Sequence, residues 1–442
     1  MNTKEYFKEQ FEQSNVQDRN NLLDVVRRQA FDTFSKLGIP GAKHEEWKYT
    51  RISGLFNKEY SFGVNLTQDP LTQADIDAIR LPGHESANEL IFINGRFSAQ
   101  LSIVRSSQLI VLPLEEAARG EYRQLVEKHL GHSSKYQKDG INALNTAFVQ
   151  AGIFICVEKG QVPDHPVFIY NVADAKAVNV LSQPRTLVCI GEAAQVQIVE
   201  TFSTLGSQES FTNQVMEIIV EKDAFVEYYK IQNDKANAHQ VSTTHIRQIG
   251  KSHTHAVTIS LNGGMVRNNL NVVLEAAHCE AHLYGLYFQQ GSGHIDNHTV
   301  VDNVEPNCLS FELYKGIMDD ASTGVFNGKI FVQPQAQKTN AYQSNKNVLL
   351  SREASVNTKP QLEIFADDVK CSHGCTVGQL DEEGLFYLRS RGIPEKRAWS
   401  LLLQGFTMDI LEKIKSPAIR TYVDGLIAER LEFRSHGQQE ID

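Results

Sequence analysis

After about Gly152 the chain becomes a succession of short runs rich in β-branched and aromatic residues. They read "FICVE", "VFIYNV", "VQIVETF", "MEIIVE", "FVEYYKI", "AVTISL", "NVVLEA", "LYGLYF", "LSFELY" and "KIFVQ", separated by Asn, Gly, Asp and Gln. Evenly spaced strands of this kind suit a sandwich, a barrel or a solenoid. An acidic residue or Gly, then small residues, then a strand recurs at Glu192, Glu221, Gly250, Glu275, Glu305, Asp320, Glu353 and Asp368. The steps are 29, 29, 25, 30, 15, 33 and 15 residues. A period near 29 with a half-period near 15 is that of a flattened β-helix with two strands per coil. Each coil hides its inner face only by stacking on its neighbours, which is the physical reason for such a repeat.

Helical patterns flank this core. From Glu5 to Leu37 apolar residues recur every three or four positions (Phe7, Phe11, Leu22, Val25, Val26, Ala30, Phe34, Leu37), and Gly38 and Pro40 end the pattern. Asn94-Gly95 inside "IFINGRFS" signals a hairpin. A helical patch covers about Glu115 to His129, and "SSKYQKDG" reads as a loop or linker. Beyond the core, "DEEGLFYLRSRG" places three carboxylates where a helix N-terminus favours them. Pro394 and Ser416-Pro417 then start two more helices, carrying Ala398, Leu402, Phe406 and Ile410, and Val423, Leu426, Ile427 and Leu431. The expected organisation is a mostly helical region with a β-hairpin over 1–150, a β-helix core over 151–379 and a helical domain over 380–442. That last domain is expected to cap the final coil, which would otherwise expose an edge.

The net charge of −10 argues against a broad nucleic-acid surface. No apolar run reaches the ~18 residues of a membrane span, and "MNTKEYFKEQ" has no apolar signal core, so the expected location is the cytosol. Six cysteines in 442 residues do not make a disulfide framework. Cys156, Cys189, Cys279 and Cys308 occur singly in strand-like contexts and read as buried small hydrophobes.

Cys371 and Cys375 are the one close pair, and "VKCSHGC" places His373 between them. On a strand the three side chains point the same way, neighbours ~6.6 Å apart and the outer pair ~13 Å apart. A metal bound at ~2.0–2.3 Å cannot be shared across that row, so a self-contained tetrahedral site is disfavoured. Thiolate and imidazole do suit iron and iron–sulfur chemistry. A half-site completed elsewhere and a purely structural strand both remain open.

Other motifs carry less. Gly250-Lys251-Ser252 resembles the end of a phosphate loop, but position 245 is His; in "GVFNGKI" (324–330) the gap is wrong and Ile330 replaces the hydroxyl. The chain is therefore not expected to hydrolyse ATP. "HCEAH" (278–282) has Glu280 in the wrong place for a zinc peptidase. A solvated strand face for His278, Glu280 and His282 is the favoured reading. His253, His255, His294 and His298 leave open an accessory metal site, and with it an alternative β-helix metalloenzyme using the His278/His282 region. No nucleophile-elbow pattern surrounds any serine.

"ADDVKCSHGCTVGQLDEEGLFYLRSRGI" resembles the C-terminal signature of the SufB/SufD family of the SUF iron–sulfur cluster assembly machinery, in its SufD branch. "KHEEWKYT", "INGRF", "LNTAFVQAGIFICVEKG" and "GSGHIDNHTVVDN" are similar to family elements too, so the resemblance covers nearly the whole chain. It implies a right-handed parallel β-helix core between helical N- and C-terminal regions. It also implies a non-catalytic scaffold whose core pairs with SufB and whose C-terminal helices dock the ATPase SufC. A transient iron or iron–sulfur cluster shared with SufB is expected, with His373 and Cys371 as the half-site. Cys375, where relatives tend to have a small residue, is either packing or an extra ligand. Phe386-Tyr387-Leu388 lacks the cysteine that SufB-like chains carry there, which favours the SufD branch over a self-pairing SufB-like scaffold. Homodimer formation by the isolated chain, and a flavin in the assembled complex, stay open.

Overall fold

The computed structural model describes residues 3–14, 21–41, 43–63, 66 and 71–437. The chain opens with helices α1 (Thr3–Gln13) and α2 (Leu22–Leu37), strand β1 (Ser61–Phe62) and helix α3 (Gln73–Ile79). Next come β2 (Asn88–Ile93), β3 (Arg96–Phe97), β4 (Leu109–Pro113), α4 (Leu114–Arg119), α5 (Arg123–His129) and α6 (Gly140–Ala147). Strands β5 (Ile153–Val157), β6 (Val167–Asp174), β7 (Val180–Ser182), β8 (Arg185–Ile190), β9 (Gln195–Leu205), β10 (Ser210–Val220) and β11 (Phe225–Asn233) begin the core. It continues with β12 (Ala238–Gln248), β13 (His253–Asn262), β14 (Met265–Leu274), β15 (Glu280–Gln289) and β16 (His294–Asn303). It ends with β17 (Leu309–Met318), β18 (Thr323–Val332), β19 (Asn340–Leu349), β20 (Ser355–Ile364) and β21 (Lys370–Gly378), before α7 (Glu382–Ser390), α8 (Glu395–Leu411) and α9 (Pro417–Gly437).

The strands alternate between two sheets, as the half-period requires. One sheet runs β20-β18-β16-β14-β12-β10-β8-β5-β4 and the other β21-β19-β17-β15-β13-β11-β9-β6-β2-β3. Successive coils pair in parallel; Met265 lies beside His294 and His294 beside Thr323, an offset of 29 residues each. This is a parallel β-solenoid. Its punctuation has a backbone cause: Ala193, Asp223, His278, Asn307 and Lys338 hold left-handed φ of 56–63° at one corner. Each sends its N–H to a carbonyl of the next coil, for example His278 to Pro306 and Asn307 to Gln337. Just inside that corner Ala194, Ala224, Ser252, Cys279, Cys308 and Thr339 stack, all buried, where only a small side chain fits. Cys156 and Cys189, paired in register, are buried on the outer face with α4 and α5 residues. All four isolated thiols are thus packing groups.

The two ends of the solenoid differ. At the start, β3 pairs antiparallel with β2 and β4 antiparallel with β5, and Asn94 and Gly95 turn the β2–β3 hairpin with positive φ. At the far end, among the described residues, β20 and β21 have no further strand neighbour. The C-terminal helices do not cap this end, as the sequence reading has it. Leu403, Ile410, Ile419, Val423 and Ile427 instead pack on the outer face of the second sheet, against Tyr229, Val257, Tyr284, Leu286 and Ile317. That face offers a continuous apolar area, and its burial holds the helices on the side of the solenoid.

The N-terminal reading also changes. The single expected helix over Glu5–Leu37 is two helices, and residues 15–20 between them lie outside the described residues. Asn21 caps α2 and Gly38, at φ 66°, ends it. The segment read as a linker is packed: Ser133 is buried, and the Tyr136 hydroxyl donates to Asp302 at 2.8 Å. Helix α6, wholly buried, follows it.

Candidate functional site

Strand β21 carries Cys371, His373 and Cys375, and its register fixes where they point. Cys371 lies beside Ala341, His373 beside Gln343 and Cys375 beside Asn345 of β19. Residues in register on parallel strands share a face, and Ala341, Gln343 and Asn345 are buried inside the solenoid. The triplet therefore faces the solenoid lumen, which is open at this last coil. Cys371 is half-buried against the interior core, opposite Val356 and Leu362 of β20, while His373 and Cys375 are exposed. Burial raises the Cys371 thiol, with the Ala341 backbone partly offsetting it.

This arrangement brings the three predicted residues to one face but leaves them in a row. Among the described residues no three His, Cys, Asp or Glu side chains gather closely enough to hold a metal ion. Any ion at the lumen mouth therefore needs ligands from outside this set. The alternation also leaves the N–H groups of Cys371, His373, Cys375 and Val377 directed away from β19, because the Lys370 N–H is the one that bonds back to Thr339. Strand β20 offers less: its N–H groups from Ser355 onward alternate the same way, and Pro360 has none to give on the free side.

The histidine-rich stretch is not one strand face. His278 is the left-handed corner residue, and only Glu280 and His282 belong to β15. His282 bonds Glu280 at 2.6 Å, and His253 of β13 lies 3.2 Å from the same carboxylate. His255 donates to the Lys413 carbonyl, and His294 bonds Thr50. These are structural contacts, and the row expected for His278, Glu280 and His282 is broken by the corner. Gly250-Lys251-Ser252 likewise occupies a coil corner leading into β13, with no helix after it.

Sequence reasoning left "KHEEWKYT" without a role, and the structure supplies one. Glu45 pairs with Lys359 of β20, Glu46 with Lys329 of β18, and Trp47 lies over Arg267 of β14 with the guanidinium 3.9 Å from the ring centre. Thr50 bonds Asp296 of β16. His298 and Lys329 hold the Glu46 carboxyl down at about 2 against its burial. The segment is a strap across the last four strands of the first sheet. Its charged residues alternate with no period, so spacing alone could not reveal it.

A family model described as the SUF system FeS cluster assembly SufBD core domain matches residues 171–406, and one for the SufBD protein N-terminal region matches residues 1–169. The chain belongs to the SufBD family. An iron–sulfur cluster assembly SufBD family protein of Synechocystis is 31% identical over 414 residues, covering 91% of this chain and 90% of that protein. The iron–sulfur cluster assembly protein SufD of Escherichia coli is 27% identical, covering 90% of each chain. SufD of Bacillus subtilis is 25% identical over 92% of this chain and 94% of its own. The SufBD core match ends at residue 406, within α8, so it takes in the lumen mouth and β21. Among the described residues of this SufBD chain no helix is long and apolar enough to cross a membrane.

Proposed function

We propose that this SufBD chain is the SufD-type scaffold subunit of an iron–sulfur assembly complex, doing no catalysis itself. The observation that carries the reading is the open end coil: two thiols and an imidazole face a lumen mouth whose edge strand has free N–H groups. An unpaired, unblunted edge is a template for another chain. A SufB-type subunit adding along β21 supplies the missing ligands beside His373 and Cys371. Iron, or a nascent cluster, is the cargo held at that junction, with Cys375 a third ligand or packing. The exposed Phe386 and Tyr387 on α7 make the C-terminal helices the docking place for a SufC-type ATPase. Hydrolysis there moves the helices and opens the subunit junction to iron and sulfide.

Co-purification from cells expressing all three subunits tests the partnership, and His373→Ala tests the half-site. The variant is expected to assemble normally but to carry far less iron. Iron content unchanged from the wild type would reduce the triplet to a structural brace. A homodimer that excludes the SufB-type chain would favour the self-pairing scaffold.

A further inference from the structure

We infer that Gln343, held by Glu312, is a positioning residue for His373: its side-chain oxygen accepts a hydrogen bond from one imidazole N–H and leaves the other ring nitrogen for iron. The inference rests on the half-site reading above. Gln343 stands beside His373 in the register of β19 and β21, ~4.8 Å away along the hydrogen-bonding direction. Its amide nitrogen donates to Glu312 of β17 at 2.7 Å. That bond points the amide oxygen away from Glu312, and this oxygen is buried with no hydrogen-bond partner among the described residues. His373, for its part, makes no side-chain hydrogen bond to β19. Leaving a buried acceptor unpaired is costly, and the imidazole on the adjoining rung is the donor in reach.

The amide is confined as well as oriented. A Cβ on Gly328 would stand 2.3 Å from the Gln343 amide nitrogen and 2.9 Å from the Phe326 ring, so this strand position has no side chain for the sake of the amide. Glu312 is fully buried, with no lysine or arginine paired to it among the described residues, and burial pushes its carboxyl up to about 7. A carboxyl in that setting holds the amide through a hydrogen bond in either protonation state. Metal-binding imidazoles commonly give their second N–H to such a partner, which fixes tautomer and direction. On an exposed end strand, where nothing else restrains the ring, that bond is what aims it.

Nitrogen-15 imidazole spectra of the full-length chain read the tautomer directly, with the His373 signal assigned by its loss in His373→Ala. One neutral tautomer is expected in the wild type and in Glu312→Gln, which keeps an acceptor for the amide. A tautomer mixture is expected in Gln343→Leu and in Gly328→Ala, which displaces the amide without removing it. In the complex with the SufB-type chain, Co(II) affinity should fall about 10–100-fold in Gln343→Leu. A circular dichroism melt matching wild type certifies the fold of each variant. An unchanged tautomer in both Gln343→Leu and Gly328→Ala would overturn the inference, whatever the metal does. If the tautomer shifts while His373→Ala leaves iron content intact, the positioning stands and the half-site reading falls.

Discussion

At the residue scale, Glu217 lies on the outer face of the first sheet, beneath the turn after α5, and is 1% exposed. It meets the Arg185 guanidinium, itself 0% exposed, at 2.5 Å and accepts from the Gly131 and Ser133 amides at 2.8 and 2.7 Å. Burial alone would raise its carboxyl, and Arg185 with the two amides more than offsets that. Glu217→Leu leaves a buried guanidinium and two amides unpaired, and should cost about 3–5 kcal/mol in urea unfolding. A loss under ~1 kcal/mol would mean that water enters to replace the carboxylate. None of this was legible in "MEIIVE", where Glu217 reads as the exposed half of an alternating strand. The inner faces carry many polar residues: Asn268 donates to Gln232 across the lumen, and Gln343 and Asn345 donate to Glu312 and Tyr287 within the second sheet. Period-two reading therefore finds the strands but not their inward side. His373 was legible as a residue to test; that it faces the lumen came only from register.

Elements were legible where backbone chemistry punctuates them. The Asn94-Gly95 turn and the proline-started C-terminal helices lie where the sequence puts them. Helix α6 was missed because all its residues are buried, so it has no polar stripe to mark a period. Val377→Pro removes an N–H that β21 does not use toward β19, so the melt should stay within about 2 °C while association with the SufB-type chain weakens at least about tenfold. Retained association would place the partner elsewhere. Helix α5 and the turn after it are seated by His129, His132 and His245. Burial first, then Arg247 for the first two, pushes His129 and His132 down to about 4, and burial pushes His245 down to about 3. Because these values fall below the ordinary 6.5, the unfolded chain takes up more protons as pH drops. Their contribution is complete above about pH 6.5 and lost on the way down to about 4, and Glu275, held low by Arg247, acts in the same direction at the acid end. Thermal melts from pH 7 to 4.5 should fall steeply, and less so in His132→Gln. A flat profile would show that these rings are solvated.

For the whole molecule, the repeat period was enough to announce a solenoid, yet not what covers its faces or its end. The consequence is mechanical. Chain continuity joins β21 to α7 through Asn- and Gly-free residues Gln379 to Asp381, but α7 has no buried residue and transmits little by packing. Helices α8 and α9 are fixed instead to the middle of the second sheet. Lys315 of β17, 5% exposed, donates to Asp409 at 2.6 Å and to the Phe406 carbonyl at 2.8 Å, and lies over the Phe406 ring. Lys415 pairs with Glu227 of β11 at 2.6 Å, and Arg430 donates to the Phe288 carbonyl. If an ATPase pulls on α8, as proposed above, the load falls first on β17, two rungs from the lumen mouth, and reaches β21 through the β17–β19–β21 ladder. Lys315→Met keeps the apolar stem but removes both hydrogen bonds and the charge over the Phe406 ring. The complex carrying it should hydrolyse ATP at the wild-type rate while forming fewer clusters per ATP consumed. Clusters per ATP unchanged from wild type would mean that the motion bypasses this clamp. A crosslink that locks β21 to the SufB-type chain and still permits ATP-dependent assembly would remove the opening step itself.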